Sequence, residues 1–211
     1  MDANQPFDDA VAKAMARIRS LSDGDGGVLD VIACGSRSVP ALRELLFTID
    51  QSGIPDARIR ALEALRALGA QETSIDFLLS SHAIADPVAR LGEDAVVGAA
   101  ARMVDNPADD RIFPYLVDMT RARPLVGIIA ALGRSKRLEA IPALVRALAE
   151  DETRQEAENA LLNFGVAAKP ELLLVTAEPQ SAGEKETESQ VRQRRSALRL
   201  LDLLDQSSGR D

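Results

Sequence analysis

The sequence predicts an all-α chain of short antiparallel helix pairs stacked side by side. Three observations carry this. Of 211 residues 46% are apolar but only 3% aromatic, so the core must be built from Leu, Ala, Ile and Val, of which Ala and Leu are strong helix formers. Residues 57–69 (ARIRALEALRALG) and 153–165 (TRQEAENALLNFG) align without a gap, sharing Arg at the second place, Ala at the fifth and eighth, Leu at the ninth and Gly at the thirteenth. They lie 96 residues apart, three periods of 32, and a fixed period in that range signals stacked helical repeats.

Taken in order, the apolar spacing predicts helices near 7–21, 28–34, 38–51, 55–68, 72–84, 88–104, 109–120, 123–133, 137–150, 153–164, 168–176 and 188–206. Residues 1–34 read as an N-terminal capping pair split by the Ser22–Gly27 turn cluster. In the repeat helices, Ala61, Ala64 and Leu65 share one face, as do Ala157, Ala160 and Leu161. Asp56 and Asp151 stand where helix N-caps are wanted, and Gly69 and Gly165 where helices stop in the left-handed region. Pro142 falls in the first turn or two of its helix, where a missing N–H costs little. Gly35 to Pro40 and Gly165 to Pro170 repeat one five-residue step, and Phe113-Pro114 echoes it. By the Ala-Leu-Gly match, Lys136 takes the place of a terminal glycine. Residues 178–187 are polar and read as a loop. The helix at 188–206 suits a C-terminal cap over an open repeat core. The expected architecture is one domain over 1–211.

The stretch ALGRSKRLEAIPALVRALAEDETRQEAENALLNFG resembles HEAT repeats of the bacterial kind also found in phycobilin lyases. The resemblance covers roughly residues 35–175. It implies an armadillo-type, right-handed α-α superhelix of five to six helix pairs. It leaves function open, because one repeat serves adaptors, lyase subunits and nucleic-acid enzymes. Arg58 and Arg154, at one repeat position, look like the family's structural ladder, in which Arg pairs with acids of a neighbouring repeat.

Catalytic chemistry has little to stand on. One Cys and one His cannot make a zinc site. His82 reads as a surface residue at a helix end and Cys34 as a small buried apolar group. The Asp23–Gly27 cluster has Cys34 where a calcium loop needs its bidentate Glu, so no metal or cofactor is expected. A net charge of −8 argues against nucleic acid, whose binding depends on Lys and Arg neutralising phosphates. No apolar run approaches membrane-spanning length, and the acidic, polar start is unlike a signal peptide. The expected location is cytoplasmic.

What remains is a surface. The leading expectation is a non-catalytic scaffold that binds another protein, in one version an acidic inhibitor of a basic partner. The alternative is a chromophore lyase-like subunit. Arg121, Arg123, Arg134, Lys136 and Arg137 form a candidate basic rim that would steer an acidic partner. Arg60, Glu63 and Arg66 on one repeat helix, and Gln155, Glu158 and Asn159 on another, are expected to project from the Ala/Leu stripe onto a shared binding face. Phe47 points about 150° away from its helix's apolar face. It either packs on a neighbouring helix or anchors a partner.

Overall fold

The computed structural model describes residues 5–80, 82–177 and 187–208. Among these every regular element is helical: twelve α-helices and three short 3₁₀ turns. The chain groups into two compact units, Met1–Asp105 and Asn106–Asp211, where a single domain is expected from the repeat.

The first unit contains α1 (Gln5–Ile18), α2 (Gly24–Ala33), α3 (Val39–Phe47), α4 (Asp56–Ala67), α5 (Gln71–Leu79) and α6 (Pro87–Met103). Consecutive helices pack as pairs. The first members α1, α3 and α5 touch in sequence, and so do the second members α2, α4 and α6. The unit is thus two helical layers, with Leu42, Leu46, Leu62, Leu65, Phe77 and Val97 sealed between them. The second unit repeats the plan with α7 (Phe113–Ala122), α8 (Val126–Ser135), α9 (Ile141–Ala147), α10 (Arg154–Phe164), α11 (Lys169–Ala177) and α12 (Glu188–Ser208). Its core holds Leu116, Ile128, Leu132, Leu144, Leu161 and Leu172.

The joints follow the sequence closely. Proline is the second residue of α3, α7, α9 and α11, at Pro40, Pro114, Pro142 and Pro170, where its fixed φ starts a helix and its missing N–H is not needed. Gly35, Gly69 and Gly165 take φ of 68°, 70° and 61°, a region that costs an L-residue about 1–2 kcal/mol. Lys136 ends α8 at φ 54° and ψ 14°, in the position its alignment with those glycines assigns.

Arg58 and Arg154 share one structural act. Each Nε donates to a backbone carbonyl at the end of the preceding helix, Leu46 at 2.8 Å and Leu148 at 3.1 Å, satisfying a group the helix leaves open. Arg58 also pairs with Glu93 on α6. Arg154 instead pairs with its local Asp151.

Three local expectations need correction. Of the Ser22–Gly27 cluster only Ser22 and Asp23 lie in the turn, because Gly24 begins α2. A Cβ at Gly27 would run into the Ile18 backbone, so glycine there lets α1 and α2 close on each other. Neither Asp56 nor Asp151 caps a helix: Pro55 and Thr153 precede α4 and α10, and Asp56 lies in the first turn, where its charge still favours the helix dipole. Cys34 is only half-buried. Of the expected 178–187 loop, residues 178–186 lie outside the described residues. Thr187 accepts from Gln190 N at the start of α12.

Residues 154–177 together have the length and hydropathy of a membrane span. They are α10, a 3₁₀ turn opened by Gly165, and α11, so no single described helix has both.

Candidate functional site

The second-layer helices α8 and α10 lie closely side by side. Buried Ile128, Ile129, Ala131 and Leu132 fix one face of α8, and buried Ala157, Ala160 and Leu161 fix one face of α10. At their contact a Cβ on Gly133 would sit 2.7 Å from the Ala160 Cβ, so glycine and alanine together set how near the helices approach. Above that contact lies an open groove of about 540 Å³ lined by Arg134, Lys136, Glu156, Asn159, Asn163 and Phe164, with Ala130, Gly133 and Ala160 beneath. Its volume falls in the range of ligand clefts.

The groove's chemistry is mixed. Arg134 and Lys136 are exposed cations, while Glu156 supplies one half-buried carboxylate. Asn159 and Asn163 stand one helical turn apart, each carrying donors and an acceptor on one carboxamide. Asn159 accepts from Gln155 at 3.3 Å. Phe164 gives a half-buried aromatic wall. Among the described residues no three His, Cys, Asp or Glu side chains cluster to hold a metal ion.

Of the expected surface residues, the groove brings together Arg134, Lys136 and Asn159. The basic rim does not stay whole. Arg137 turns away onto the Phe113 ring, 4.2 Å from its centroid, and pairs with Asp110 at 2.7 Å. Arg121 sits beside Asp118 at 3.4 Å, and Arg123 closes the C-terminus of α7. Glu158 is buried, not projecting, because α12 lays Arg199 over it. Gln155 remains exposed.

In the first unit Arg60 is also not a projecting residue. It bends back over Gly24, donates to the Ser20 carbonyl at 3.0 Å and pairs with Asp25 at 2.9 Å. Glu63 is exposed, and Arg66 is exposed beside Asp105 at 3.4 Å. Phe47 meets Phe77 edge-on at 5.6 Å, with the Arg43 guanidinium 4.6 Å above its ring. It therefore packs on the neighbouring pair while leaving about a third of its surface open, at 36%.

Sequence reasoning misses Glu156, Asn163 and Phe164 in the groove. Both Asn163 and Phe164 sit in the aligned repeat itself: Asn163 is one of the polar positions of that helix, and Phe164 continues its apolar spacing at 157, 160, 161 and 164. It also misses a buried polar cluster in the first unit. His82 is not a surface residue. It is buried, with Nδ1 donating to Glu93 Oε1 at 2.6 Å and its ring 4.7 Å from Phe77. Arg58 holds the other Glu93 oxygen at 2.5 Å. Burial alone would raise the Glu93 carboxyl. The hydrogen bonds from His82 and Arg58, and the charge behind them, outweigh it and hold the pKa at about 2. All three side chains are sealed from solvent, so this cluster ties helices together and presents no reacting group.

No protein-family model matches the chain, and no curated protein matches its sequence. The likeness to HEAT repeats rests on the residues themselves.

Proposed function

We propose that this chain is a non-catalytic scaffold of the HEAT type, a right-handed α-solenoid of six helix pairs that receives another protein on the face of its second helices. One observation carries the reading: the α8–α10 groove, where cations, two carboxamides and an aromatic wall converge on one concavity. Carboxamides one turn apart match the alternating donors and acceptors of an extended backbone. An aromatic wall beside them offers the kind of anchor on which interfaces concentrate their energy. The repeated layer plan, the Arg58 and Arg154 carbonyl contacts and the glycine joints support the solenoid. The net charge of −8 favours a partner whose wider surface is basic, and an inhibitor of a basic protein is the form it fits best. A single cysteine fits a reducing, cytoplasmic setting.

The test is affinity purification with mass spectrometry from native cells, using the wild-type chain beside Asn163→Trp, which fills the groove from an exposed position. A specific protein retained by the wild type and depleted at least tenfold by the variant is the expected result. Equal retention by a folded variant would reject the groove as the binding face.

A further inference from the structure

Wherever the repeat ends a helix in the left-handed region, it uses glycine, at Gly35, Gly69 and Gly165. The exception is the end of α8. Lys136 stands there at φ 54°, the one non-glycine residue with positive φ among the described residues. Glycine would fit that backbone without strain, and the repeat uses it elsewhere. A side chain held in an unfavoured conformation points to a use for that side chain. Lys136 is exposed and lines the α8–α10 groove. Among the described residues its ammonium has no hydrogen-bond or ion-pair partner.

We propose that Lys136 is the specificity-determining anchor of this groove, and that it recognises the carboxylate of one Asp or Glu side chain on an extended peptide segment of the partner. The inference rests on the groove being the binding face. The groove itself limits the charge of that segment. Arg134 and Lys136 set against Glu156 leave the groove one net positive charge, which suits one acid, and Glu156 would repel a second. A single acidic residue among neutral ones is therefore expected, not an acidic run. Asn159 and Asn163 hold the segment's backbone, and Phe164 takes an apolar side chain next to the acid.

The experiment is a display selection of random dodecapeptides on the 211-residue chain, followed by titration of synthetic winners against wild type, Lys136→Gly, Lys136→Arg and Asn163→Trp. The expected winners carry one Asp or Glu. Exchanging that acid for its amide, or Lys136 for Gly, weakens binding at least tenfold, while Lys136→Arg stays within about threefold. Lys136→Gly also raises the melting temperature, since the strain is relieved, so a loss of binding cannot be laid to unfolding. Winners that lose binding in Asn163→Trp but bind Lys136→Gly as well as wild type would overturn the anchor while leaving the groove. Winners indifferent to both variants, or no enrichment at all, would overturn the groove reading and this inference together.

Discussion

The residue that organises the first unit is Glu93. Arg58 and His82 grip its two oxygens within a buried pocket beside Phe77, and Arg58 Cζ lies 5.3 Å from that ring's centroid. Removing one partner from such a cluster leaves an uncompensated buried charge, which costs about 3–5 kcal/mol. The pH dependence has a definite sign. The Glu93 carboxyl falls from an ordinary 4.5 to about 2 in the folded chain. Its contribution is complete above the unfolded value and is lost as pH drops from there towards 2. Urea unfolding followed from pH 7 to pH 2.5 should show wild-type stability falling by on the order of 3 kcal/mol from this group. Glu93→Gln should be less stable at neutral pH and fall less steeply in acid. Parallel acid limbs for the two chains would contradict this account. Arg58 was legible in the sequence, because it recurs at one repeat position with Arg154. Its partners were not. His82 and Glu93 are 11 residues apart on either side of a helix start, a spacing with no periodicity to read. A lone histidine gives no sign of which carboxylate will find it.

At the scale of the helix, glycine does two different jobs, and they should cost differently when replaced. Gly69 is needed for φ alone: a Cβ there meets nothing within 4 Å. Gly69→Ala should therefore cost about 1 kcal/mol. Gly27 has an ordinary backbone, but its Cβ would enter the Ile18 main chain, and backbone cannot swing aside as a side chain does. Gly27→Ala should cost about 2–3 kcal/mol by forcing α1 and α2 apart. Thermal unfolding of the two variants settles the order. A larger loss for Gly69→Ala would mean that helix contact does not fix the first pair. Helix existence was readable throughout, since Ala/Leu stripes and Pro/Gly joints repeat. Helix faces were read less well. Glu158 looks like its exposed neighbour Asn159 in the sequence, and only the arrival of Arg199 from α12, 41 residues on, explains its burial.

Across the whole chain, the worn repeat marks where the two units part. The second-layer helices begin at residues 24, 56, 87, 126, 154 and 188, and the longest step, from 87 to 126, contains the boundary after Asp105. Ahead of Phe113-Pro114 that stretch carries Pro107 and consecutive aspartates where no repeat motif is readable, so the alignment of the outer repeats passes over it unseen. Charge is also a property of this scale. With 33 acidic against 25 basic residues, and several arginines held by carboxylates, there are few cations left to neutralise phosphates. Binding to duplex DNA at physiological salt should be weaker than roughly micromolar by fluorescence anisotropy. Tighter, salt-dependent binding would count against the scaffold reading.

Stacked repeats ordinarily open like a zipper, each unit resting only on its neighbours. The Arg58 cluster changes this in the first half of the chain, because one connected set of hydrogen bonds reaches the end of α3 through Leu46, α4 through Arg58, α5 through Leu78 and α6 through Glu93. Two adjacent pairs are thereby riveted at one point, and neither can peel away without breaking the rivet. Native-state hydrogen exchange should show the slow amides of α3 to α6 sharing one opening free energy, whereas the α1–α2 pair exchanges at a level of its own. In Glu93→Gln that common block should divide, with α5 and α6 exchanging faster than α3 and α4, which would make this carboxylate the latch that decides whether the array loosens piecemeal or lets go all at once.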